Sequence, residues 1–334
     1  MRGGVIPPAC SSSTLASILA EWAALPSPGE HMFYSSGVRP SYRIEPCKSA
    51  LNRVRGMPFS WSLNPYMGCV HRCTFCYVRA FELRADRPAD GRYGSSIRVK
   101  LNVADVLARE LARPSWRGET VAIGAATDPY QPAEGRVRLT RGCLEALTAA
   151  ANPFDLITRG PLIVRDLDVL AAAAARAEVS VTFSVPTLDE EVWRRTEPGT
   201  APPRQRLHAL SRLVEAGVRA SVGMAPILPG LSDRPEQLAA VVRAARAAGA
   251  CGIWANVLHL RPGTREHFLA CLEESWPELL PEYERRYGSR AYLPGAEARA
   301  VRDLVGRLAR AEGVSDRRAD RPPGARAVQL TLGV

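Results

Sequence analysis

The chain has 334 residues, 46% of them hydrophobic and 23% charged, the balance of a globular protein long enough to bury a substantial core. No run approaches the roughly 20 apolar residues that span a bilayer, the N-terminal apolar run falls short of the about 7 to 15 of a signal peptide, and eight dispersed cysteines do not make a small secreted disulfide scaffold; a reducing, cytoplasmic setting with no membrane partner is expected. The net charge of +10 favours polyanions such as DNA or RNA, yet Lys48 and Lys100 are the only lysines, and arginine beside frequent alanine also fits a genome-wide compositional bias.

Residues 1–45 are rich in Ser, Gly and Pro without sustained periodicity, and residues 312–334 read the same way, so both ends are expected to be poorly ordered. Between them, short β-branched runs alternate with amphipathic stretches. Strands are expected at Phe59–Leu63, Thr120–Gly124, Phe154–Thr158, Val179–Val185, Arg219–Ala225 and Cys251–Leu258. Leucines and valines at three- and four-residue spacing predict helices at Leu139–Ala150, Leu162–Arg176, Pro203–Ala216 and Arg234–Ala248. Gly217 and Gly249 suit left-handed caps after the last two, and Thr187 with Glu190 resembles a capping box. Trp276, Tyr283, Tyr287 and Tyr292 mark a helical extension over residues 276–311 that packs on a core domain of residues 46–275.

Six βα units make either a doubly wound sheet or an incomplete barrel, and in both, ligands gather at the carboxyl ends of the strands. No Gly-x-Gly-x-x-Gly or Walker sequence occupies the first βα turns, which counts against a dinucleotide or nucleoside-triphosphate fold. Just past the first strand, Cys69, Cys73 and Cys76 fall within the run NPYMGCVHRCTFCY. A structural zinc site closes with four protein ligands and an iron–sulfur cube takes four thiolates, so three leave a coordination position open. The competing arrangement is zinc with His71 as fourth ligand, in a non-catalytic nucleic-acid-binding module, but no second Cys or His pair follows. Otherwise His71 reads as a loop surface residue.

The Cys-x3-Cys-x2-Cys spacing on such a loop resembles the radical S-adenosylmethionine superfamily. NPYMGC with CTFCY, then GAATDPYQPAE, LITRGPLIVRDLDVL and MAPILPGLSD, make the chain similar to the spore photoproduct lyase-like branch over residues 45–275. The resemblance implies an α/β fold, a partial (β/α)6 barrel. It also implies a 4Fe-4S cluster on Cys69, Cys73 and Cys76, with S-adenosylmethionine on the fourth iron. Reductive cleavage then gives a 5'-deoxyadenosyl radical, the electron coming from a donor such as a flavodoxin or ferredoxin.

Carried onto this sequence, Tyr77 lies against the adenine, Phe75 shields the cluster, Thr127 and Asp128 meet the methionyl amino group, Arg159 meets the carboxylate and Ser184 the ribose. Pro226, Pro229 and Gly230 make a stiff loop suited to covering the adenine edge, or a mere turn. His259 and Arg261 end the sixth strand, facing substrate or serving as ordinary strand-end residues. The founding lyase donates hydrogen from a cysteine in the second-strand loop; Gly124-Ala125-Ala126-Thr127 carries none. Direct thymine-dimer repair is therefore not expected, and Cys143, otherwise an inert buried helix cysteine, and Tyr130, otherwise a packing residue of core or lid, are the candidate hydrogen donors. A nucleic acid or nucleotide is the first substrate expectation, a small metabolite or peptide the alternative.

Overall fold

In the computed structural model, which describes residues 40–316, all six expected strands form. In chain order the strands are β1 (Ser41–Ile44), β2 (Leu51–Arg53), β3 (Trp61–Leu63), β4 (Tyr66–Met67), β5 (Ser96–Val99), β6 (Val121–Ile123), β7 (Phe154–Thr158), β8 (Val179–Ser184), β9 (Arg219–Ile227), β10 (Gly252–Val257) and β11 (Ser315–Asp316). Strands β3, β6, β7, β8, β9 and β10 lie side by side in chain order, every pairing parallel. An order that never reverses means that successive right-handed crossovers place their helices on one side of the sheet. The choice left open by the sequence is thus settled for a partial barrel rather than a doubly wound sheet. Antiparallel β2 and parallel β11 flank it, and these edge strands do not pair with each other.

The helices are α1 (Arg79–Arg84), α2 (Val103–Leu111), α3 (Glu134–Val137), α4 (Leu139–Ala149), α5 (Leu167–Ala174), α6 (Glu190–Thr196), α7 (Pro203–Glu215), α8 (Pro235–Ala247), α9 (Thr264–Ser275), α10 (Leu280–Tyr287) and α11 (Gly295–Ala311). Leu144 and Leu147, Leu210 and Leu213, and Val241 and Val242 bury the inner faces of α4, α7 and α8 in the main core. The central strands are buried on both faces, as a helix-covered parallel sheet requires: Val181, Phe183, Ala220 and Val222 on one face are solvent-free, and Thr182 and Ser221 on the other are buried.

The structure corrects the sequence reading at several points. The segment expected as one helix over Leu162–Arg176 opens as a 3-10 turn, Pro161–Asp166, before α5 begins. The cap of α6 is Asp189, whose carboxylate accepts from the Glu191 and Val192 N–H groups at 3.0 Å each; Thr187 instead accepts from Asp189 N–H. A second sheet, β1–β5–β4, was not expected at all. Most of the two terminal segments expected to be poorly ordered lies outside the described residues, but residues 41–44 pair with Ser96–Val99, and residues 315–316 pair with β10. No described helix is long and apolar enough to cross a membrane.

Candidate functional site

The cysteine loop runs from β4 to α1 and is gripped from two sides. From below, the fully buried Gln131 accepts from Val70 N–H at 3.3 Å and donates to the Gly68 carbonyl at 3.2 Å. From the other side, the turn after α6 supplies the Thr196 carbonyl to Thr74 N–H and takes the His71 carbonyl through Gly199 N–H. Gly199 has no alternative there, since a Cβ would stand 2.4 Å from the Val70 carbonyl oxygen.

Cys69, Cys73 and Cys76 are free thiols, the first two buried and the third half-buried. Burial pushes the Cys73 and Cys76 thiols above their ordinary range; at Cys73, Arg159 opposes it while Glu197 and the neighbouring thiols add to it. Burial also acts against the Cys69 thiolate, but His71 outweighs it and brings that pKa down. Among the described residues, no three His, Cys, Asp or Glu side chains are grouped to hold a single metal ion; a cube assigns each thiolate to an iron of its own.

A buried cation tests the fit of such a group. Arg79 is almost solvent-free, yet its described hydrogen-bond acceptors are neutral carbonyls: Ala89 and Asp90 at 2.7 Å, with Arg72 and Cys73 at the limit. Its guanidinium also stacks 4.6 Å from the Tyr93 ring centroid. Burying an unneutralised charge is costly, and an anionic thiolate–iron centre held by the nearby Cys73 and Cys76 would supply a countercharge. The Tyr93 hydroxyl stands 3.6 Å from Cys76 Sγ. Three thiols beside a buried arginine fit an iron–sulfur group.

The carboxyl ends of the strands bring the expected cofactor residues together. Tyr77 hydrogen-bonds the Ala125 carbonyl across the mouth. Thr127, two residues on, donates to the Tyr66 carbonyl at 2.9 Å. Asp128 accepts from Thr158 Oγ1 at 2.7 Å, Arg159 N–H at 2.6 Å and Tyr130 N–H at 2.9 Å, with His71 Nδ1 3.4 Å away. Burial would raise its pKa, but His71 and these donors hold it down to about 2. With both oxygens engaged, Asp128 acts as the hub that ties the β6 loop to β7 and to the cysteine loop. His71 is buried here, which corrects its expected place on the loop surface.

Arg159 lies over Phe75, its carbon 5.7 Å from the ring centroid, and pairs with Glu197 at 3.2 Å. Glu197 also takes Arg206, whose Nη1 donates to the Ser184 carbonyl at 2.8 Å. The Ser184 hydroxyl donates to the Ala225 carbonyl at 3.0 Å. Two buried or half-buried arginines thus share the Glu197 carboxylate.

Two candidates are not brought to this place. Tyr130 is buried in the main core with its hydroxyl on Asp166 at 3.0 Å, and Cys143 is solvent-free on the inner face of α4, where burial drives its thiol pKa up. Each has its own cause: the Pro129-Tyr130 turn carries the Tyr130 ring into the core, and the apolar periodicity of α4 buries Cys143 on its inner face. Sequence reasoning missed Arg79, Tyr93, Glu197 and Gln131. Only Gln131 carried a signal, by its place in GAATDPYQPAE, where the solvent-free Glu134 likewise binds Tyr66, Arg165 and the Thr140 N–H.

A profile of the Radical SAM superfamily matches residues 63–249. An uncharacterised protein of Mycobacterium tuberculosis is 41% identical over 265 residues, 78% of each chain, and one of Methanocaldococcus jannaschii is 24% identical over 186 residues, 56% of this chain and 67% of the other. Among solved structures, a spore photoproduct lyase variant with dinucleoside spore photoproduct aligns with a TM-score of 0.62 at 16% identity, covering 84% of this chain and 82% of that one. Another variant, with bound AdoMet and the same dinucleoside, gives 0.60 at 17% identity over 80% and 78%. The cysteine loop, the singly wound half-barrel and the matched profile together place this chain in the radical SAM superfamily, as an enzyme whose cofactors are a 4Fe-4S cluster and S-adenosylmethionine.

Proposed function

We propose that Cys69, Cys73 and Cys76 hold three irons of the cluster and that the enzyme directs its radical at a nucleic acid or nucleotide. When bound, the cluster and S-adenosylmethionine supply a 5'-deoxyadenosyl radical. The chain's own residues orient and enclose. Tyr77 offers a ring for the adenine, and Thr127 and Ser184 offer polar edges for the methionyl and ribose groups. Arg159, already charged and held by Glu197, offers a cation to the methionyl carboxylate. Asp128 positions the two loops between which these groups sit.

One observation carries the substrate class: a row of rings leads from Tyr77 to the surface. Tyr77 lies 6.1 Å from His259, and His259 stacks on Tyr292 at 5.6 Å with 24° between planes. Arg261 lies 5.8 Å from the centroid of the exposed Tyr292 ring and donates to its hydroxyl at 3.0 Å. Burial, then Arg261, brings the His259 pKa down to about 4, so its imidazole is neutral near pH 7 and stacks as an aromatic. Aromatic faces interleaved with arginine suit unstacked bases and their phosphates. The dinucleoside held by the similar lyase structures supports this reading, while the missing thiol in the β6 loop points to chemistry other than direct thymine-dimer repair.

The test joins two measurements on protein reconstituted without oxygen: 5'-deoxyadenosine release on reduction, and affinity for single-stranded DNA and RNA at physiological salt. Release together with binding that weakens in Tyr292→Ala supports the proposal. Release without nucleic-acid affinity moves the substrate to small metabolites or peptides. Colourless protein that takes up one zinc overturns the cofactor assignment.

A further inference from the structure

Beside the start of the cysteine loop, a groove of about 270 Å³ opens between β1, β5 and the turn after α1. Four arginines line it, Arg43, Arg87, Arg92 and Arg98, against two carboxylates, Glu45 and Glu82. Glu45 lies 4.0 Å from Arg43 and 3.8 Å from Arg98, Arg87 pairs with Glu82, and Arg92 with Asp90. Arginine exceeds carboxylate even when Asp90 is included. Both Arg43 and Arg92 turn most of their side chains to solvent.

The floor of this groove is bare backbone. Gly68 and Gly94 line it, both at positive φ. A Cβ on Gly94 would stand 2.3 Å from the Cys69 carbonyl oxygen and 2.8 Å from Arg72 Cγ, so Gly94 packs directly on the Cys69 main chain, and Gly68 is joined to that cysteine by a peptide bond. Tyr93 lines the groove as well and reaches Cys76 Sγ with its hydroxyl, 3.6 Å away. Of the surfaces around the loop, this one therefore has both a basic rim and a short covalent and hydrogen-bonded route to two of the three sulfurs.

We infer that this groove is the docking surface for the reductant, a small acidic protein with a one-electron centre near its own surface. The inference rests on the proposed cluster ligands. One electron leaves the carrier, which is oxidised by one unit, and enters the iron–sulfur group, which is reduced by one; no bond forms or breaks and no proton moves. Opposite charge steers such an encounter and sets its salt dependence, while the glycine floor lets the carrier approach the sulfurs closely.

A plant-type 2Fe-2S ferredoxin serves as the probe. Its binding to the full chain is measured before iron loading, at low and at physiological salt, and its reduction of the reconstituted enzyme is followed by absorbance with dithionite as comparison. The double variant Arg43→Glu/Arg92→Glu changes two exposed side chains; Arg243→Glu/Arg246→Glu on α8 reverses equal charge on exposed residues elsewhere. The groove variant is expected to bind and accept electrons from ferredoxin roughly tenfold more weakly at low salt, with dithionite reduction and the α8 variant unchanged. Equal losses in both variants, or no loss in the groove variant, overturn the inference. Loss of nucleic-acid affinity alone would also overturn it, assigning the groove to the substrate. Failure of the chain to take up iron, with ferredoxin binding intact, is a failure of the cluster reading and is seen separately.

Discussion

At the scale of single residues, the site is organised by charges that water does not reach. Glu197 is the countercharge for the solvent-free Arg206 and for Arg159. Removing one partner of a buried ion pair leaves the other uncompensated, a loss of about 3–5 kcal/mol. Glu197→Ala should lower the unfolding free energy from urea titration by an amount in that range, and a change below about 1 kcal/mol would show that the two arginines find other partners. The displaced hydrogen-donor candidates separate stability from chemistry. Tyr130→Phe removes one hydrogen bond to a carboxylate, worth about 1.5–3 kcal/mol, and Cys143→Ala removes one buried sulfur. Both should cost stability in a melt while leaving the yield of 5'-deoxyadenosine per cluster unchanged; a yield that collapses in either variant returns that residue to the chemistry.

The same residues show what the sequence could carry. Cys69, Cys73 and Cys76 were legible because ligand spacing within one loop is a local property. Arg79 and Glu197 were not, because in a chain so rich in arginine nothing local distinguishes a buried guanidinium from a solvated one. Asp128 was legible as polar and near the site, but its engagement with β7 and His71 depends on strands that meet only after folding.

At the scale of elements, long strands and helices with clear periodicity were readable: β7 falls at the expected Phe154–Thr158, and α4 and α7 within a residue of their expected ends. The sheet β1–β5–β4 escaped because its strands have two to four residues and pair over long separations, Ser41 with Ser96 and Tyr66 with Val99, so no short window contains its pattern. Elements also explain why the cysteine loop keeps its shape, since it is clamped by the turn after α6 as well as by Gln131. Adding one methyl at Gly199 forces it against the Val70 carbonyl and the His71 Cα, 2.4 and 2.9 Å from the new carbon. Overpacking of this kind costs about 1–3 kcal/mol. Gly199→Ala should therefore retain the fold by circular dichroism but hold fewer irons per chain after reconstitution and desalting. Full iron retention would mean that the loop's geometry does not depend on this contact.

At the scale of the molecule, the half-barrel has an open side, and residues 276–311 are proposed to close it. A second apolar cluster supports that role: Cys73 and Phe75 from the cysteine loop share it with Leu258, Phe268, Tyr283, Tyr287 and Leu293. Tyr283 and Tyr287 stack at 5.7 Å and fasten α10 to the strand ends, one hydroxyl donating to the Pro229 carbonyl and the other to the Leu258 carbonyl, each at 2.8 Å. Replacing both with Phe keeps the rings but strips two buried carbonyls of their donors, at about 1–3 kcal/mol each. Because these carbonyls belong to the loops after β9 and β10, the loss should loosen the wall behind Cys73 as well as the helix itself. The expected result for Tyr283→Phe/Tyr287→Phe is a lower melting temperature together with faster bleaching of the reconstituted brown protein in air. Lower stability with an unchanged bleaching rate would show that the extension braces the fold without shielding the thiolates.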